Sequence, residues 1–473
     1  MPFNSYAFVA FVLALCAIYN GIPSRVRPGL LLLASYLFYA QFGVGHLGLL
    51  VFVSACAYVA GRIVSADPRA STCVACIVIL LLPLGVTKYF DFFQETLRRS
   101  RIAAATPLNL LLPVGISFYT FQAISYVIDV RRGMVAPERS LLQFALYLSW
   151  FSQILAGPIE RARSLMPQLR SVRPTAARDV YIGLKYLLWG FFCKLVVADN
   201  VAFIVDRIVA SPRTESGATL AITFVLYSFQ IYFDFLGYTS IAIGAARLFS
   251  VRLSRNFNKP YSSSSLQQFW RRWHMTLSAW FRDYVYVPLG GRTTRGANRL
   301  GHILAVFVLS GLWHGAAFNF LAWGSFHGLA YSIEEWLRRR VSGRFAMSRA
   351  ARRSLRPVKV FVTFAVVTLG WVFFRLSSAQ EIQTVFARLA GADQGVPYFA
   401  LNPVLLQVDS IVFIVVAGIA LLLDSLAKVR AINEQVPKTP LQIGRELLVV
   451  NSLAVMLVLL GDRPSRDFIY FRF

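Results

Sequence analysis

The stretch that decides the reading is Ser310 to Leu329, "SGLWHGAAFNFLAWGSFHGL". It is apolar almost throughout, yet it holds two of the chain's five histidines, His314 and His327, each in the frame Gly-x-x-His-Gly. An ionisable side chain at membrane depth is costly and usually lines a polar path. Gly311 and Gly315, and again Gly324 and Gly328, stand four residues apart, a spacing that lets a helix or a ligand approach the backbone closely. Each frame therefore reads either as a packing motif with an incidental histidine or as part of a polar centre. Two histidines in one apolar hairpin favour the second. On one continuous helix their rings would point about 220° apart, so only one is expected at a reaction centre unless the chain turns near Asn319.

The rest of the chain explains why that stretch is apolar. Of its 473 residues, 57% are hydrophobic and 15% charged, against about 45–50% and about 25% in a soluble domain. Apolar runs recur from 5–22 to 446–461, and several approach the roughly 20 residues that cross a bilayer. Others, such as 28–43, are short and suit tilted, re-entrant or hairpin segments. The fold class is all-α: a single polytopic membrane domain over 1–473, with about 11 crossings.

The net charge of +26 does not point to nucleic acid. The basic residues sit in short loops such as 25–27, 98–101, 131–133 and 338–340, where they meet anionic headgroups at the ends of membrane helices. The first apolar run lacks a basic region before it, so it is expected to be retained and not cleaved. Arg25 and Arg27 place the first loop in the cytoplasm and the N-terminus outside; Arg463, Arg466 and Arg472 favour a cytoplasmic C-terminus. Cys73-Val-Ala-Cys76 has redox or metal spacing but no second pair or nearby histidine, so these thiols read as small buried hydrophobes.

The most polar insertion is 250–300. Within it Leu266, Trp270, Trp273, Leu277, Trp280 and Tyr284 recur at steps of four and three, one face of a helix. Serines 262–265 offer N-caps, and Pro288 with Gly290-Gly291 ends the run. Arg271, Arg272 and Arg282 beside the indoles describe a helix at the membrane boundary. Either it lies on the surface or it dips into the protein and lines a cavity. His274, on the edge of the apolar stripe, favours the latter.

A neutral imidazole in a low-dielectric site can take a proton from a hydroxyl or thiol and return it. No G-x-S-x-G occurs for a hydrolase elbow, and no H-E-x-x-H or similar spacing supports a metal among His274, His314 and His327. At these residues the chain resembles the membrane-bound O-acyltransferase superfamily, in the branch of the alginate O-acetylation and teichoic acid D-alanyl transfer membrane proteins. The resemblance rests on "FWRRWHMTLSAWFRDYVYVPLGG" (269–291) and the opening stretch, with "LPVGISFYTFQAISYVIDVRRG" (112–133), "FSQILAGPIER" (151–161), "YSFQIYFDFLGYTSIAIGAARLF" (227–249), "GWVFFR" (370–375) and "FIYFRF" (468–473). It covers essentially the whole chain. Ser152 departs from the proline common there, which alters a local bend and touches nothing catalytic.

The resemblance implies helices ringed around a central tunnel, with re-entrant helices in 250–300 and an active-site hairpin over 300–336. It makes His314 the active-site histidine and His274 a second polar residue of the reaction tunnel, with Trp273, Trp313 and Asn319 beside them. Gly315-Ala316-Ala317 leaves room at His314 for a thin acyl chain; His327 is read as supporting or packing. Asp234, also at a family position, is expected to pair with an arginine such as Arg271 or Arg282, for structure or for function. The implied reaction moves an acetyl group from a cytoplasmic donor toward an exported polysaccharide such as alginate, in a bacterial cytoplasmic membrane. Acetyl-CoA is the expected donor, its phosphates near Arg271, Arg272 and Arg282, with no bound cofactor and no metal. A separate extracytoplasmic acetyltransferase is the expected partner. Peptidoglycan or teichoic acid as acceptor, and a polysaccharide or lipid transporter, remain alternatives; the internal symmetry common in transporters is not seen.

Overall fold

A computed structural model describes residues 3–100, 108, 110–155, 157–171, 173–291, 293, 296–341, 348–392, 396–425, 436–461, 466, 468 and 469. Arg101, Ala156, Arg463, Arg472, the last four residues of "FIYFRF" and positions 292, 294 and 295 of the polar insertion lie outside them.

Every regular element among the described residues is helical. Among the described residues six helical stretches are long and apolar enough to cross a membrane: Val44–Ala66, Ala70–Arg98, Ala177–Val209, Gly217–Arg247, Arg356–Arg375 and Pro440–Leu460. The other apolar runs fall in shorter or more polar helices, such as Tyr6–Gly21 and Ile116–Arg131. The all-α polytopic reading holds.

The chain forms two compact units. One comprises Met1–Gly190, Tyr238–Arg255 and Glu434–Val436. In it, helices Val44–Ala66 and Ile116–Arg131 meet so closely that a Cβ on Gly61 would lie 2.4 Å from the Tyr126 ring. The second helix starts from Gly115, at φ 77°, and a Cβ there would lie 2.2 Å from the Ile154 carbonyl oxygen. Only glycine fits both demands, and it pins "LPVGISFYTFQ" against "FSQILAGPIER". Further bonds hold the second stretch: the Phe151 amide donates to Ser35 Oγ at 3.2 Å, and Gln153 Nε2 to the Tyr147 carbonyl at 3.0 Å. Glu160 accepts the Ser254 amide. Burial pushes the Glu160 carboxyl above the usual range, while the bonds from Ser254 and the charge of Arg161 pull the other way.

The other unit comprises Phe191–Gly237, Asn256–Asn433 and Pro437–Phe473, and it contains the candidate site. Here the single helix expected over 266–284 is broken. Helix Leu266–Trp270 is capped by Ser265, whose Oγ accepts the Gln268 amide at 3.0 Å. The chain then turns, and a second helix runs Met275–Phe281 into one wide turn at Arg282–Tyr286. The cause lies outside the periodic run. The Asn258 amide takes the Arg272 carbonyl at 3.0 Å, and the Met275 amide donates to the Asn256 carbonyl at 2.9 Å, so these groups are lost to a helical ladder. The apolar face survives the break, with Leu266, Trp273, Leu277 and Trp280 buried.

Helices Gly296–His314 and Phe318–Val341 form a hairpin. A Cβ on Gly311 would lie 2.2 Å from the Phe320 carbonyl oxygen, and one on Gly324 would lie 2.4 Å from that of Phe307. The glycines of the two histidine frames are thus the contact surface of the hairpin, as small residues are between membrane helices.

Candidate active site

His314 is the last residue of its helix, and the chain breaks over Gly315–Ala317 before the next helix begins at Phe318. The break decides where the two histidines go. His314 and His327 stand on either side of one indole: the Trp323 ring is 4.9 Å from His314 and 5.1 Å from His327, both crossing steeply. The chain turns just before Asn319, the exception left open in the sequence, and Asn319 fastens the helix start by donating from Nδ2 to the Phe373 carbonyl at 3.1 Å.

His274 reaches the same group of rings from the broken segment. Its backbone is left-handed, φ 41° and ψ 57°, a costly conformation for a non-glycine residue and one that collects at functional sites. The strain aims a buried imidazole at Trp313, 5.9 Å away, and Trp313 in turn lies 4.8 Å from His314. Phe374 closes another side of His314 at 5.3 Å. Trp273, expected to line the site, lies 5.0 Å from Trp371 with the rings tilted by 46°, and Trp371 is 5.6 Å from Phe374. His274, Trp313 and His314 are therefore consecutive members of one aromatic wall, and all three are buried. An imidazole so screened from water is placed to exchange a proton with a hydroxyl or thiol brought to it.

His327 is surrounded differently. It is wholly buried among Trp270, Trp323, Phe326 and Trp371, and neither ring nitrogen has a hydrogen-bond partner among the described residues. Its steep angles to the indoles suit N–H···π contacts. A Cβ on Gly370 would lie 2.3 Å from its Nε2, so the glycine of "GWVFFR" makes room for this imidazole.

Asp234 is buried but does not pair with Arg271 or Arg282. Its partner is Lys194, whose Nζ lies 2.7 Å from Asp234 Oδ1 and 2.8 Å from Asp199 Oδ1. The second oxygen of Asp234 accepts the Ile469 amide at 2.8 Å. Lys194 and Asp199 are five residues apart across a π-helical turn, Phe192–Ala198, which brings that spacing into register where an α-helix would not. The arginines lay on a nearby sequence face; the lysine comes from a helix that only the tertiary fold brings to Asp234. Phe468 packs 5.4 Å from Phe235, and Phe235 lies 4.7 Å from His274, so the ion cluster fastens residues that back the aromatic wall. Of the basic residues expected to meet the donor, Arg282 bonds Asp283 at 2.7 Å, Arg271 is exposed and Arg272 half-buried.

Lys194, Asp199, Trp323, Trp371 and Phe374 were not singled out from sequence. The signal for the first two was present, a lysine and an aspartate inside the apolar run 180–198 and its edge. Among the described residues no group of three or more His, Cys, Asp or Glu is arranged to hold a metal ion.

Residues 135–379 of this helical membrane protein, which include all three histidines of the site, match the MBOAT, membrane-bound O-acyltransferase, family. The chain belongs to that family and is an O-acyltransferase. It is 36% identical over 400 residues to the Azotobacter vinelandii protein named "Probable alginate O-acetylase AlgI", a match covering 82% of this chain and 78% of that one. It is 33% identical over 395 residues to the Helicobacter pylori "Peptidoglycan O-acetyltransferase", covering 76% and 73%. A Bacillus subtilis "Teichoic acid D-alanyltransferase" is 29% identical over 278 residues, covering 55% and 68%.

Proposed function

We propose that this enzyme moves acetyl groups from cytoplasmic acetyl-CoA to the far side of a bacterial cytoplasmic membrane for O-acetylation of an exported polysaccharide, alginate in the first instance. The observation that carries the reading is the position of His314: at a helix end, beside a small-residue break, walled by Trp313, Trp323 and Phe374, with His274 across Trp313. A coenzyme cannot cross hydrocarbon, but its thioester arm can be threaded into the protein. His314 acts there as the base that takes the proton of an acceptor hydroxyl as its oxygen attacks the thioester carbonyl, the C–S bond breaking and the coenzyme thiol leaving with that proton. Alternatively its ring nitrogen carries the acetyl group briefly, with the same thiol leaving, and His274 supports it. The exposed basic surface at Arg271 suits the coenzyme's phosphates. The acetyl group passes to a separate extracytoplasmic acetyltransferase that meets the polymer, and the N-terminus lies outside with the C-terminus in the cytoplasm.

The alginate acceptor is favoured by the Azotobacter relative, and the peptidoglycan-named relative, which covers nearly as much of the chain, supports a second reading with the same donor side. The test is vesicles containing this protein with labelled acetyl-CoA on the cytoplasmic face. Label should reach alginate only when the partner enzyme is present on the other face. Label on peptidoglycan in place of alginate selects the second reading, and no consumption of acetyl-CoA overturns both.

A further inference from the structure

Helix Asp199–Val209 carries two acids, Asp199 and Asp206, on one face, about two turns apart. Asp199 belongs to the ion cluster around Lys194; Asp206 does something else. Its Oδ1 accepts Nη2 of Arg375 at 2.7 Å, and its Oδ2 accepts Nη1 of Arg466. The three side chains are 26–29% exposed. One carboxylate, with both oxygens in use, thus joins the end of helix Arg356–Arg375 to residues that follow helix Pro440–Leu460.

Each arginine leads to one histidine. Arg375 follows Phe374, which lies 5.3 Å from His314 and 5.6 Å from Trp323. Arg466 is held at its backbone as well, its amide donating to Asp199 Oδ2 at 3.4 Å. Two residues on, Phe468 is wholly buried against Phe235, and Asp234 takes the Ile469 amide. Phe235 in turn lies 4.7 Å from His274. The aromatic wall therefore has two backings, one behind each imidazole, and they meet at Asp206. Ion pairs at a water-accessible edge contribute little to stability, whereas a shift of about 1 Å at reacting groups can cost about a hundredfold in rate. Position is the larger effect.

We propose that Asp206 is a positioning residue of the acyl transfer. By holding Arg375 and Arg466 together it sets Phe374 against His314, and Phe468 behind Phe235 and His274, so that both imidazoles keep their places on the wall through each turnover. Asp206 acts through these residues and makes no bond to the reacting atoms.

The test is carbon-13 NMR of the detergent-purified full chain labelled at histidine Cε1, which gives one signal for each of its five histidines; His274→Gln and His314→Gln assign the two that matter. Asp206→Asn should move both signals and leave that of His46 in place. Arg375→Gln should move the His314 signal more than the His274 signal, and Arg466→Gln should do the reverse. These shifts do not depend on the donor. A kinetic arm rests on the acetyl-CoA reading above. Asp206→Asn should lower kcat for acetyl transfer by about tenfold to a hundredfold, with KM for acetyl-CoA, membrane abundance and unfolding temperature near those of the parent. It should match the variant that combines Arg375→Gln with Arg466→Gln. A parent enzyme that consumes no acetyl-CoA defeats the donor reading alone, and the histidine signals then decide. Signals unmoved in Asp206→Asn, or activity lost only in proportion to abundance, overturn the proposal. So does a raised KM at unchanged kcat, which marks the two arginines as part of a donor site.

Discussion

Replacing Lys194 by Met should destabilise the protein far more than replacing Asp234 by Asn, although both break the same contact. Lys194 has a side chain 1% exposed and faces two carboxylates, at 2.7 and 2.8 Å. With all three ionised the group carries one excess negative charge. Lys194→Met leaves two buried carboxylates facing each other with no cation between them. Breaking a buried pair this way costs on the order of 3–5 kcal/mol. Asp234→Asn instead leaves one lysine against one aspartate, and the amide oxygen can still accept the Ile469 N–H that now bonds Asp234 Oδ2. Its cost should be about 1–2 kcal/mol, that of weakening hydrogen bonds to a charged group. The assay is unfolding of the detergent-purified variants followed by tryptophan fluorescence, with the amount in the membrane measured alongside. A Lys194→Met protein as stable as the parent, or an Asp234→Asn protein less stable than Lys194→Met, would refute the charge argument.

Gly311→Ala should lower membrane abundance, because its Cβ would meet a backbone oxygen at 2.2 Å and the hairpin must open; overpacking of this kind costs about 1–3 kcal/mol, read as yield and unfolding temperature. Gly370→Ala should displace the His327 ring, whose Nε2 would lie 2.3 Å from the new carbon, and the change should appear as altered fluorescence of the surrounding tryptophans before any loss of His314 chemistry. Glu160→Gln should remove a pH dependence. The folded-state pKa of Glu160 is raised by burial, so its contribution to stability is fully present below the unfolded pKa and is lost as pH rises through the folded one. The variant keeps an acceptor for Ser254, so its stability relative to the parent should improve as pH rises above the ordinary glutamate range; a constant difference across that window rejects the assignment.

Much of this molecule is legible in its sequence because a bilayer leaves few options. Backbone polar groups must be satisfied within the segment, so apolar runs of sufficient length read directly as helices, and Val44–Ala66 or Pro440–Leu460 needed nothing more. The glycine frames around His314 and His327 were likewise readable as contact surfaces. The failures share a cause, which is that distant residues intervene. The period from Leu266 to Tyr284 is unbroken in sequence, but Asn256 and Asn258 claim the backbone groups at 275 and 272. Asp234 was given an arginine from the neighbouring amphipathic run because Lys194, forty residues upstream, becomes a neighbour only through a π-turn and helix packing. Trp323 as the ring shared by both histidines depends on a turn at 315–317 that small residues permit but do not require.

The central claim is that His314 carries the chemistry while His327 holds the fold, though the two share a sequence frame and a tryptophan. The direct measurement is acetyl transfer per unit of membrane-inserted protein for His314→Gln and His327→Gln, side by side with the partner enzyme present. His314→Gln should reach the membrane at near-normal abundance and lose transfer by roughly 10² to 10⁴, the contribution of a positioned proton-transfer group. His327→Gln should lose activity only in proportion to lost abundance. Normal transfer by the His314 variant would contradict the account.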